Sequence, residues 1–397
     1  MAANELMRTG GMMGERADAR HVDVLVIGAG QCGLAAANKL AKTGLKYLLV
    51  NSGSSIGDSW RARYDSLTLF TPRNVSSLPG RELPGNPLGY ASKDEFADYL
   101  AAYALDGGFP IETGVDIVSL QKLDTRFLAV ARSGPKFVAK AVVVATGAFR
   151  QPWIPPISQG LSPTISQLHV DSFRNARQIP PGPVLVVGDG ASGRDIAAEL
   201  SQYHETYLAR GRMRRLLAER IFGRSIWWWM SKLGLLQASP ESIIGRAMRK
   251  TDPFPNRQRD DAALSQMGVH LVGRLVSCSG TEMAFSDGVA IAPECVIWST
   301  GYRDDFGWIR IPGAIDGESR AIHMQGVSPI PGIYFLGRPW QRNRASALIA
   351  GAGADAAVVV HKLQEFLCSP SGESLQVAFQ RRGVAAVGSV TSARASD

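Results

Sequence analysis

The chain contains few cysteines, and no two of them are close in the sequence. Cys32, Cys278, Cys295 and Cys368 form no CxxC pair, so the sequence predicts neither a disulfide framework nor a metal site. Isolated cysteines are typical of reduced, mostly buried thiols, which indicates a reducing compartment such as the cytoplasm.

Long apolar runs are also absent. The first twenty residues combine Met-Gly pairs with mixed charge and no apolar core, so they do not resemble a signal peptide. The most apolar stretch, 221–236, is interrupted by Gly223, Arg224, Lys232 and Gly234 and is too short for a membrane span. The sequence therefore predicts a cytoplasmic protein without a membrane span.

Acidic residues are fewer than basic ones, 35 against 43, which gives a formal net charge of +8. Nucleic-acid binding would require clustered cations together with a recognition motif, and no such motif occurs. A nucleotide cofactor accounts for the charge, so we predict no nucleic-acid partner. The one dense basic cluster comprises Arg210, Arg212, Arg214, Arg215 and Arg220.

The length of 397 residues allows two or three domains, and an apolar fraction of 45% is typical of a globular protein. The 42 glycines exceed average usage. At about 7% usage, roughly 28 would be expected. Such an excess indicates tight turns or phosphate-binding loops.

A buried strand, a glycine turn, a helix and a second strand follow one another in the N-terminal region. The first strand ends at Gly28, the helix continues to Gly44, and residues 46–50 form the second strand. Glycines at this spacing permit a tight turn, contact of the backbone with a pyrophosphate, and close packing of helix on strand. We predict that this loop binds a dinucleotide through Gly28, Gly30, Gln31 and Gly33.

The second strand ends at Asn51, where an Asp or Glu would commonly bind the ribose hydroxyls. An amide can form the same hydrogen bonds without a charge. We therefore predict a cofactor contact at Asn51. The alternative is a turn residue before Ser52-Gly53.

The same pattern returns between residues 183 and 210. Its motif GDGASG predicts a second dinucleotide loop, formed by Gly188, Gly190, Ser192 and Gly193. Arg210 and Arg212 follow the next strand, and arginine supplies the charge and planar donors that a 2′-phosphate requires. This pattern favours NADPH, although a solvated basic surface would also explain the two arginines.

Two dinucleotide loops in one chain indicate a nicotinamide that donates hydride and a flavin that accepts it. We assign FAD to the first loop and NADPH to the second. The predicted fold is α/β with two Rossmann-like three-layer domains, the NADPH domain inserted into the FAD domain. The predicted boundaries are a disordered tail at 1–20, an FAD domain at 21–155 and 320–368, an NADPH domain at 156–319, and a weakly ordered tail at 369–397.

Five segments in this order resemble the flavin-containing monooxygenase family, in particular a bacterial branch of cation-efflux-associated flavoproteins. The segments are GDSWRARYDSLTLFTP at 57–72, ATGAFRQPWIP at 145–155, the second glycine motif, STGYR at 299–303, and GIYFLGRPW at 332–340 followed by SALIAGAGADA. The resemblance covers about residues 22–366.

The resemblance implies that NADPH reduces FAD, that O2 then gives a C4a-peroxyflavin, and that one oxygen atom passes to a small nucleophilic organic substrate. It implies further cofactor contacts at two segments and two turns, which contain Gly57, Trp60, Thr146, Gly147, Thr300, Gly301 and Gly337. The predicted partners are this substrate and O2, and a homodimer is possible.

The family's own motif is half present, because His169 and Phe173 have its spacing while Pro163 and Ile165 replace its Phe and Gly. Phe173 in place of Trp favours N- or S-oxygenation over Baeyer-Villiger chemistry. Asn74 is our candidate for the family's active-site Asn. His169 is predicted to be catalytic, with a hydrogen-bonding role between domains as the alternative.

Other functions are open at this point. A disulfide or quinone reductase shares both cofactors but would normally require a redox cysteine pair. An NADPH-dependent flavin oxidase or a non-enzymatic flavin sensor would need no substrate oxygenation. Trp227, Trp228 and Trp229 could stack a substrate or partner, or form core or a subunit contact.

Overall fold

The computed structural model describes residues 19–211, 216–251 and 253–368. Arg212, Arg214 and Arg215 of the basic cluster lie outside the described residues. The predicted terminal tails lie almost entirely outside them as well.

Eight α-helices occur in the described ranges. They are α1 Gln31–Leu40, α2 Asp58–Arg61, α3 Lys93–Asp106, α4 Ala191–Leu200, α5 Ile226–Lys232, α6 Ile243–Thr251, α7 Asp261–Gln266 and α8 Ile349–Cys368. Short 3-10 turns occupy Arg73–Val75, Pro156–Gly160, Ala176–Gln178, Leu235–Gln237 and Arg344–Ala347. Within the described residues, no helix is both long enough and apolar enough to cross a bilayer.

The strands number 21 in the same ranges. They are β1 Arg20–Ile27, β2 Tyr47–Val50, β3 Ile111–Glu112, β4 Ile117–Leu123, β5 Arg126–Ala131, β6 Lys136–Val144, β7 Gln151–Pro152, β8 Ser166–His169, β9 Val184–Val187, β10 Thr206–Ala209, β11 Leu216–Leu217, β12 Arg220–Ile221, β13 Arg224–Ser225, β14 Phe254–Pro255, β15 Val269–Val272, β16 Leu275–Ser279, β17 Glu282–Phe285, β18 Ala290–Ile291, β19 Cys295–Trp298, β20 Tyr302–Arg303 and β21 Ile333–Phe335.

The first large sheet has the order β3-β2-β1-β6-β5-β4, and β21 also pairs with β6. Strands β1, β2, β3, β6 and β21 are parallel, whereas β4 and β5 pair antiparallel. The apolar run 24–27 at the end of β1 forms a strand because both of its faces are covered. One face packs on α1 and α8, and the other packs on residues 306–315.

The second large sheet is entirely parallel, with the order β15-β10-β9-β19-β8. All four residues of β9 and all four of β19 are buried, as their Val, Ile and Leu content predicts. Helix α4 packs against this sheet through Ile196 and Ala197. The chain is thus a mixed α/β protein with two mainly parallel sheets.

The chain returns to the first sheet before residue 320, the position predicted from the sequence. Phe306 and Trp308 belong to the apolar cluster on that sheet, and the Leu120 amide donates to the Trp308 carbonyl at 2.9 Å. Contacts with the first sheet therefore begin at Phe306. Helix α1 also ends at Leu40, ahead of the predicted Gly44, because the amides of Lys42 and Thr43 bind carbonyls three residues back and the chain then turns at Gly44, whose φ is +72°.

Candidate functional site

The first glycine loop lies where β1 ends and α1 begins, at the carboxyl edge of the parallel strands. A Cβ on Gly33 would lie 1.9 Å from the Gly28 carbonyl oxygen, and one on Gly28 would lie 2.5 Å from the Ala145 carbonyl oxygen. Gly28 also has a φ of +107°, which side chains rarely adopt. Both positions therefore require glycine for the fold itself.

Gly30 is different, because a Cβ there would meet no protein atom within 4 Å. Its φ of −76° is open to any residue, and no side chain caps the helix that it precedes. The helix has no acidic residue in its first turn, so its positive end is available to an anion. The fold itself therefore does not require glycine at position 30. Close approach of a pyrophosphate to the backbone explains why a glycine stands there.

The remaining residues predicted for the first cofactor lie around this loop. The Asn51 side-chain oxygen accepts from the Ala29 amide at 3.2 Å, so Asn51 contacts the loop. The Trp60 indole N–H donates to Gln31 at 3.4 Å. Gly57 has a φ of +92° and packs on α3, where a Cβ would lie 2.7 Å from the Ala97 carbonyl oxygen.

The turn Thr146-Gly147 follows β6 and borders the same loop. The Thr146 hydroxyl is buried and has no hydrogen-bond partner within the described residues. A buried polar group without a partner is costly, so the atom indicates a ligand that the protein itself does not supply. Gly337 has a φ of +81° and lies close enough to Cys32 that a Cβ would meet the sulfur at 2.7 Å.

Sequence reasoning missed a polar cluster that the segment after β21 brings to this loop. Buried Arg338 donates to the Gly147 carbonyl at 3.1 Å and pairs with Asp304. Asp355, buried within α8, pairs with Arg342 at 3.0 Å, and burial raises the pKa of its carboxyl. The sequence feature that indicates this cluster is Asp355, the one acidic residue in the Ala- and Gly-rich stretch 350–357.

Two further atoms in this cluster lack hydrogen-bond partners within the described residues. They are the Asp355 Oδ2 oxygen and the Gln341 Nε2 nitrogen, both buried. Together with Thr146 they give the site donors and acceptors, and the open Gly30 position gives it space. The residues present therefore fit a bound dinucleotide at the first loop.

The second glycine loop repeats this geometry between β9 and α4. A Cβ on Gly193 would lie 1.8 Å from the Gly188 carbonyl oxygen, and one on Gly188 would lie 2.5 Å from the Ser299 carbonyl oxygen. Gly190 precedes α4 with a φ of −68°, and no side chain caps that helix. Ser192 lies in its first turn, so this loop also presents a free helix N-terminus to an anion.

Charged side chains surround the second loop. Arg194 is buried and pairs with Asp189 at 3.3 Å and with Asp261 at 2.9 Å. Arg210 pairs with the second oxygen of Asp261 at 3.3 Å and keeps 42% of its side chain exposed. Arg210 is thus held by a carboxylate yet accessible, while the predicted partner Arg212 lies outside the described residues.

His169 ends β8 and is almost entirely buried, with 5% exposure. The Asp171 amide donates to its Nδ1 at 3.1 Å, so the neutral ring carries its proton on Nε2 and donates to the Gly301 carbonyl at 3.0 Å. Burial lowers the pKa of the imidazole, which favours this neutral form. Both nitrogens therefore bind backbone, which favours the positioning role over proton transfer.

A polar network beside His169 links the Gly57 segment to the turn after β8. The Tyr302 hydroxyl donates to Asp171 at 3.0 Å and accepts from Arg63, and burial raises the pKa of this tyrosine to about 12. The Arg63 guanidinium also lies over the Tyr302 ring at 5.2 Å. In the same turn, the Thr300 hydroxyl donates to the Trp153 carbonyl. The network brings the Gly57 segment, β8 and the STGYR turn together.

The other predicted residues lie in different surroundings. Phe173 is fully buried in the apolar cluster of the second sheet, 6.5 Å from the Tyr64 ring. Asn74 lies exposed in the 3-10 turn after Pro72. Trp227 is buried and donates to the Phe70 carbonyl at 3.0 Å, whereas Trp228 and Trp229 are half-buried.

Comparison with known proteins agrees with this geometry. The family model of pyridine nucleotide-disulphide oxidoreductases matches residues 25–214. A CzcO-like oxidoreductase of Geobacillus kaustophilus is 44% identical over 344 residues, which are 86% of this chain and 98% of that protein. CzcO of Bacillus subtilis is 40% identical over 86% of this chain and 99% of its own length. A flavin-containing monooxygenase structure from Stenotrophomonas maltophilia superposes with a TM-score of 0.75 at 26% identity, covering 88% of this chain and all of that one.

Two glycine loops on parallel sheets, together with these similarities, define a flavoprotein oxidoreductase of the flavin monooxygenase type. The chain belongs to the CzcO-like oxidoreductase family. The predicted resemblance to flavin-containing monooxygenases is thereby confirmed, and the prediction of FAD and NADPH as cofactors agrees with both comparisons.

Proposed function

We propose that the chain is an FAD-dependent, NADPH-consuming monooxygenase that oxygenates a small organic substrate at nitrogen or sulfur. FAD binds at the domain formed by residues 21–155 and by the returning segment that begins at Phe306, and NADPH binds at the domain inserted between them. The observation that carries the proposal is the repeated geometry of the two glycine loops, each set against a small-residue turn at the carboxyl edge of parallel strands.

The first loop is assigned to FAD because the orphaned polar atoms of Thr146, Gln341 and Asp355 lie around it. Asn51 and Gln31 complete the polar lining, and the N-terminus of α1 faces the pyrophosphate. These residues bind and orient the flavin.

The second loop is assigned to NADPH because Arg210 stands exposed at the end of β10, where a 2′-phosphate would lie. Asp261 holds the arginine in place, and Arg212 is the second predicted donor. His169 and Gly301 fix the turn next to this loop and so set how the nicotinamide would approach the flavin.

When both cofactors are bound, NADPH supplies a hydride to FAD, and the reduced flavin supplies the means to activate O2. The protein's part is to hold the two rings together and to exclude water from the reaction. The Arg63, Asp171 and Tyr302 network contributes to the first task by linking the Gly57 segment to the turn after β8. A preference for nitrogen or sulfur rests on the monooxygenase resemblance and on Phe173.

Disulfide reduction is the less favoured alternative, although the matching family model is named for it. Burial raises the pKa of Cys32 to about 12 and also raises the pKa of Cys278 and Cys295. A raised pKa disfavours the thiolate that such chemistry requires. A flavin oxidase that only forms H2O2 is the second alternative, favoured by the exposure of Asn74, the candidate for the active-site amide.

One assay tests the proposal against both alternatives. The purified protein is mixed with NADPH, O2 and a thioether or tertiary amine, and NADPH consumption, H2O2 and oxygenated product are measured together. Product in excess of that formed by added H2O2 alone supports a monooxygenase. NADPH consumption matched fully by H2O2 identifies an oxidase, and NADPH-dependent cleavage of a disulfide identifies a reductase.

A further inference from the structure

A short hairpin, β12–β13, projects from the segment 216–251 and carries an exposed aromatic ring at its tip. Its two turn residues are Phe222 and Gly223, and its strands pair Arg220 with Ser225 and Ile221 with Arg224. Phe222 is 90% exposed, more than any other large apolar residue of the described chain. The hairpin therefore presents a phenyl ring to solvent between two arginines.

The backbone at this tip is costly for a phenylalanine. Phe222 has a φ of +49° and Gly223 a φ of +72°, and two positive φ values define a type I′ turn. Asn or Gly is strongly preferred at the first position, because a bulky side chain crowds the backbone there. Neither turn geometry nor core packing accounts for Phe222, so its ring indicates an external apolar partner.

Helix α6 adds a second exposed apolar site on the same segment. Ile243 is 80% exposed and Ile244 is also exposed, whereas Gly245 and Met248 face inward. The rest of the helix surface is basic, with exposed Arg246, Arg249 and Lys250. Apolar residues at the start of a basic helix are typical of an element that lies on a membrane surface.

The segment is firmly anchored to the rest of the protein. Its inner side contributes Ile226, Trp227, Met230 and Leu236 to an apolar cluster with Leu348. The Trp228 and Trp229 rings support the tip, because Phe222 lies 6.4 Å from Trp229 and Arg224 lies over Trp228 at 5.3 Å. The exposed side chains of Phe222, Ile243 and Ile244 are thus held in place by this apolar cluster, and the cluster does not include them.

Charge selects among the partners that could cover such a surface. Residues 216–251 contain six cations against two carboxylates, and all six cations are exposed. A second copy of this chain would bring like charges together, which opposes self-association. Nucleic acid would satisfy the cations but leave Phe222 and Ile243 in water. An anionic bilayer can pair with the cations through its phosphates and can also cover Phe222 and Ile243 with its acyl region.

We propose that the hairpin Arg220–Ser225 and helix α6 form a peripheral membrane-binding surface that inserts Phe222 and Ile243 into anionic phospholipid. The bilayer is contacted from one side, so no spanning helix is involved. This inference stands apart from the cofactor assignment, because none of its residues belongs to either glycine loop.

The test uses the full-length protein with its bound flavin and sedimentation with vesicles. One set of vesicles is phosphatidylcholine alone, and the other contains about 30% phosphatidylglycerol, which supplies the anionic surface potential. We expect at least tenfold stronger binding to the anionic vesicles, reduced by high salt because charge attraction is screened. Cosedimentation that is equal on both vesicles, or absent from both at low salt, overturns the proposal.

Phe222→Asn separates membrane insertion from folding. Asn suits the left-handed turn better than Phe, so the hairpin and the melting temperature should be kept or improved. Vesicle binding should nevertheless fall about tenfold, since the ring is gone. Unchanged vesicle binding by a folded Phe222→Asn protein would show that the ring has another role.

Matched variants elsewhere on the surface complete the test. Ile243→Ser should weaken vesicle binding, whereas Leu105→Ser, at a residue 81% exposed on α3, should not. Arg249→Gln with Lys250→Gln should reduce the salt-sensitive part of binding, while Lys42→Gln with Lys122→Gln should leave it intact. A concentration-dependent dimer that Phe222→Asn abolishes, or equally tight binding to a DNA duplex, would contradict the bilayer as partner.

Discussion

Gly30 and Gly190 occupy equivalent places before the first helix of each glycine loop. Because both have φ values that any residue adopts, and a Cβ on Gly30 meets no protein atom, we expect Gly30→Val to fold normally. The added side chain should block the pyrophosphate and lower flavin content tenfold or more, which absorbance of the purified protein measures.

Gly190→Val is the matched control for this substitution. It should keep its flavin and instead raise the KM for NADPH. Loss of flavin from both variants alike would contradict the assignment of FAD to the first loop.

At His169, the two backbone hydrogen bonds predict a positioning role. His169→Ala should keep its FAD and still consume NADPH, but release a larger share of H2O2 and less product, because the ring geometry that excludes water is loosened. His169→Asn, which can still bind backbone, should recover part of the coupling. A product rate that varies with pH at a constant peroxide yield would instead identify an acid-base residue.

At the scale of elements, α7 and β10 together set the charge of the second cofactor site. Asp261 at the start of α7 pairs with Arg210 at the end of β10. We expect Arg210→Gln to weaken NADPH by about 1 kcal/mol, roughly fivefold, because a partly exposed ion pair contributes little more. NADH should be unaffected, and the ratio of the two kcat/KM values measures the change.

Asp261→Asn gives the opposite change at the same place. It removes a carboxylate next to the expected 2′-phosphate and should favour NADPH, provided that Arg194 keeps its pairing with Asp189. If both substitutions alter NADH and NADPH equally, the phosphate lies elsewhere, and Arg212, the second predicted donor, becomes the residue to test.

At the scale of the whole molecule, His323 predicts how stability depends on pH. Burial, aided by the nearby charge of Arg338, lowers the pKa of this imidazole to about 4. A histidine with a lowered pKa in the folded state binds fewer protons folded than unfolded, so its contribution is complete above about pH 6.5 and is lost as the pH falls toward 4. The loss should reach roughly 2 to 3 kcal/mol in the free energy of unfolding.

Urea unfolding at pH 7 and pH 5 measures this effect. His323→Phe should flatten the difference between the two pH values, whereas His361→Gln, at an exposed position on α8, should leave it. An equal pH response in wild type and His323→Phe would assign the acid sensitivity to other groups.

A cytoplasmic location and a homodimer also stay predictions at this scale. The proposed bilayer contact is compatible with the predicted location, because a protein held at the inner face of a membrane is still exposed to the reducing compartment that its isolated cysteines indicate. Cell fractionation of the wild type beside Phe222→Asn would measure the membrane-bound share.

The sequence by itself determined the features that a single stretch of chain encodes. Each glycine motif is a strand, a turn and a helix within about thirty residues, so its geometry follows from local sterics and could be predicted together with the family. The parallel strands β1, β9 and β19 could also be predicted from the sequence, because burial on both faces requires apolar runs.

The tertiary structure alone decided which distant residues complete the site. Asp355 comes close enough to Cys32 to affect its thiol only because α8 packs on α1, and the His169 Nε2 binds the Gly301 carbonyl only because β8 pairs beside β19. Likewise, nothing in the local pattern shows that Phe222 stands at a hairpin tip in water while Trp227 is buried. Such contacts depend on how separate elements pack together, and the periodicity of residues within one element does not predict that packing.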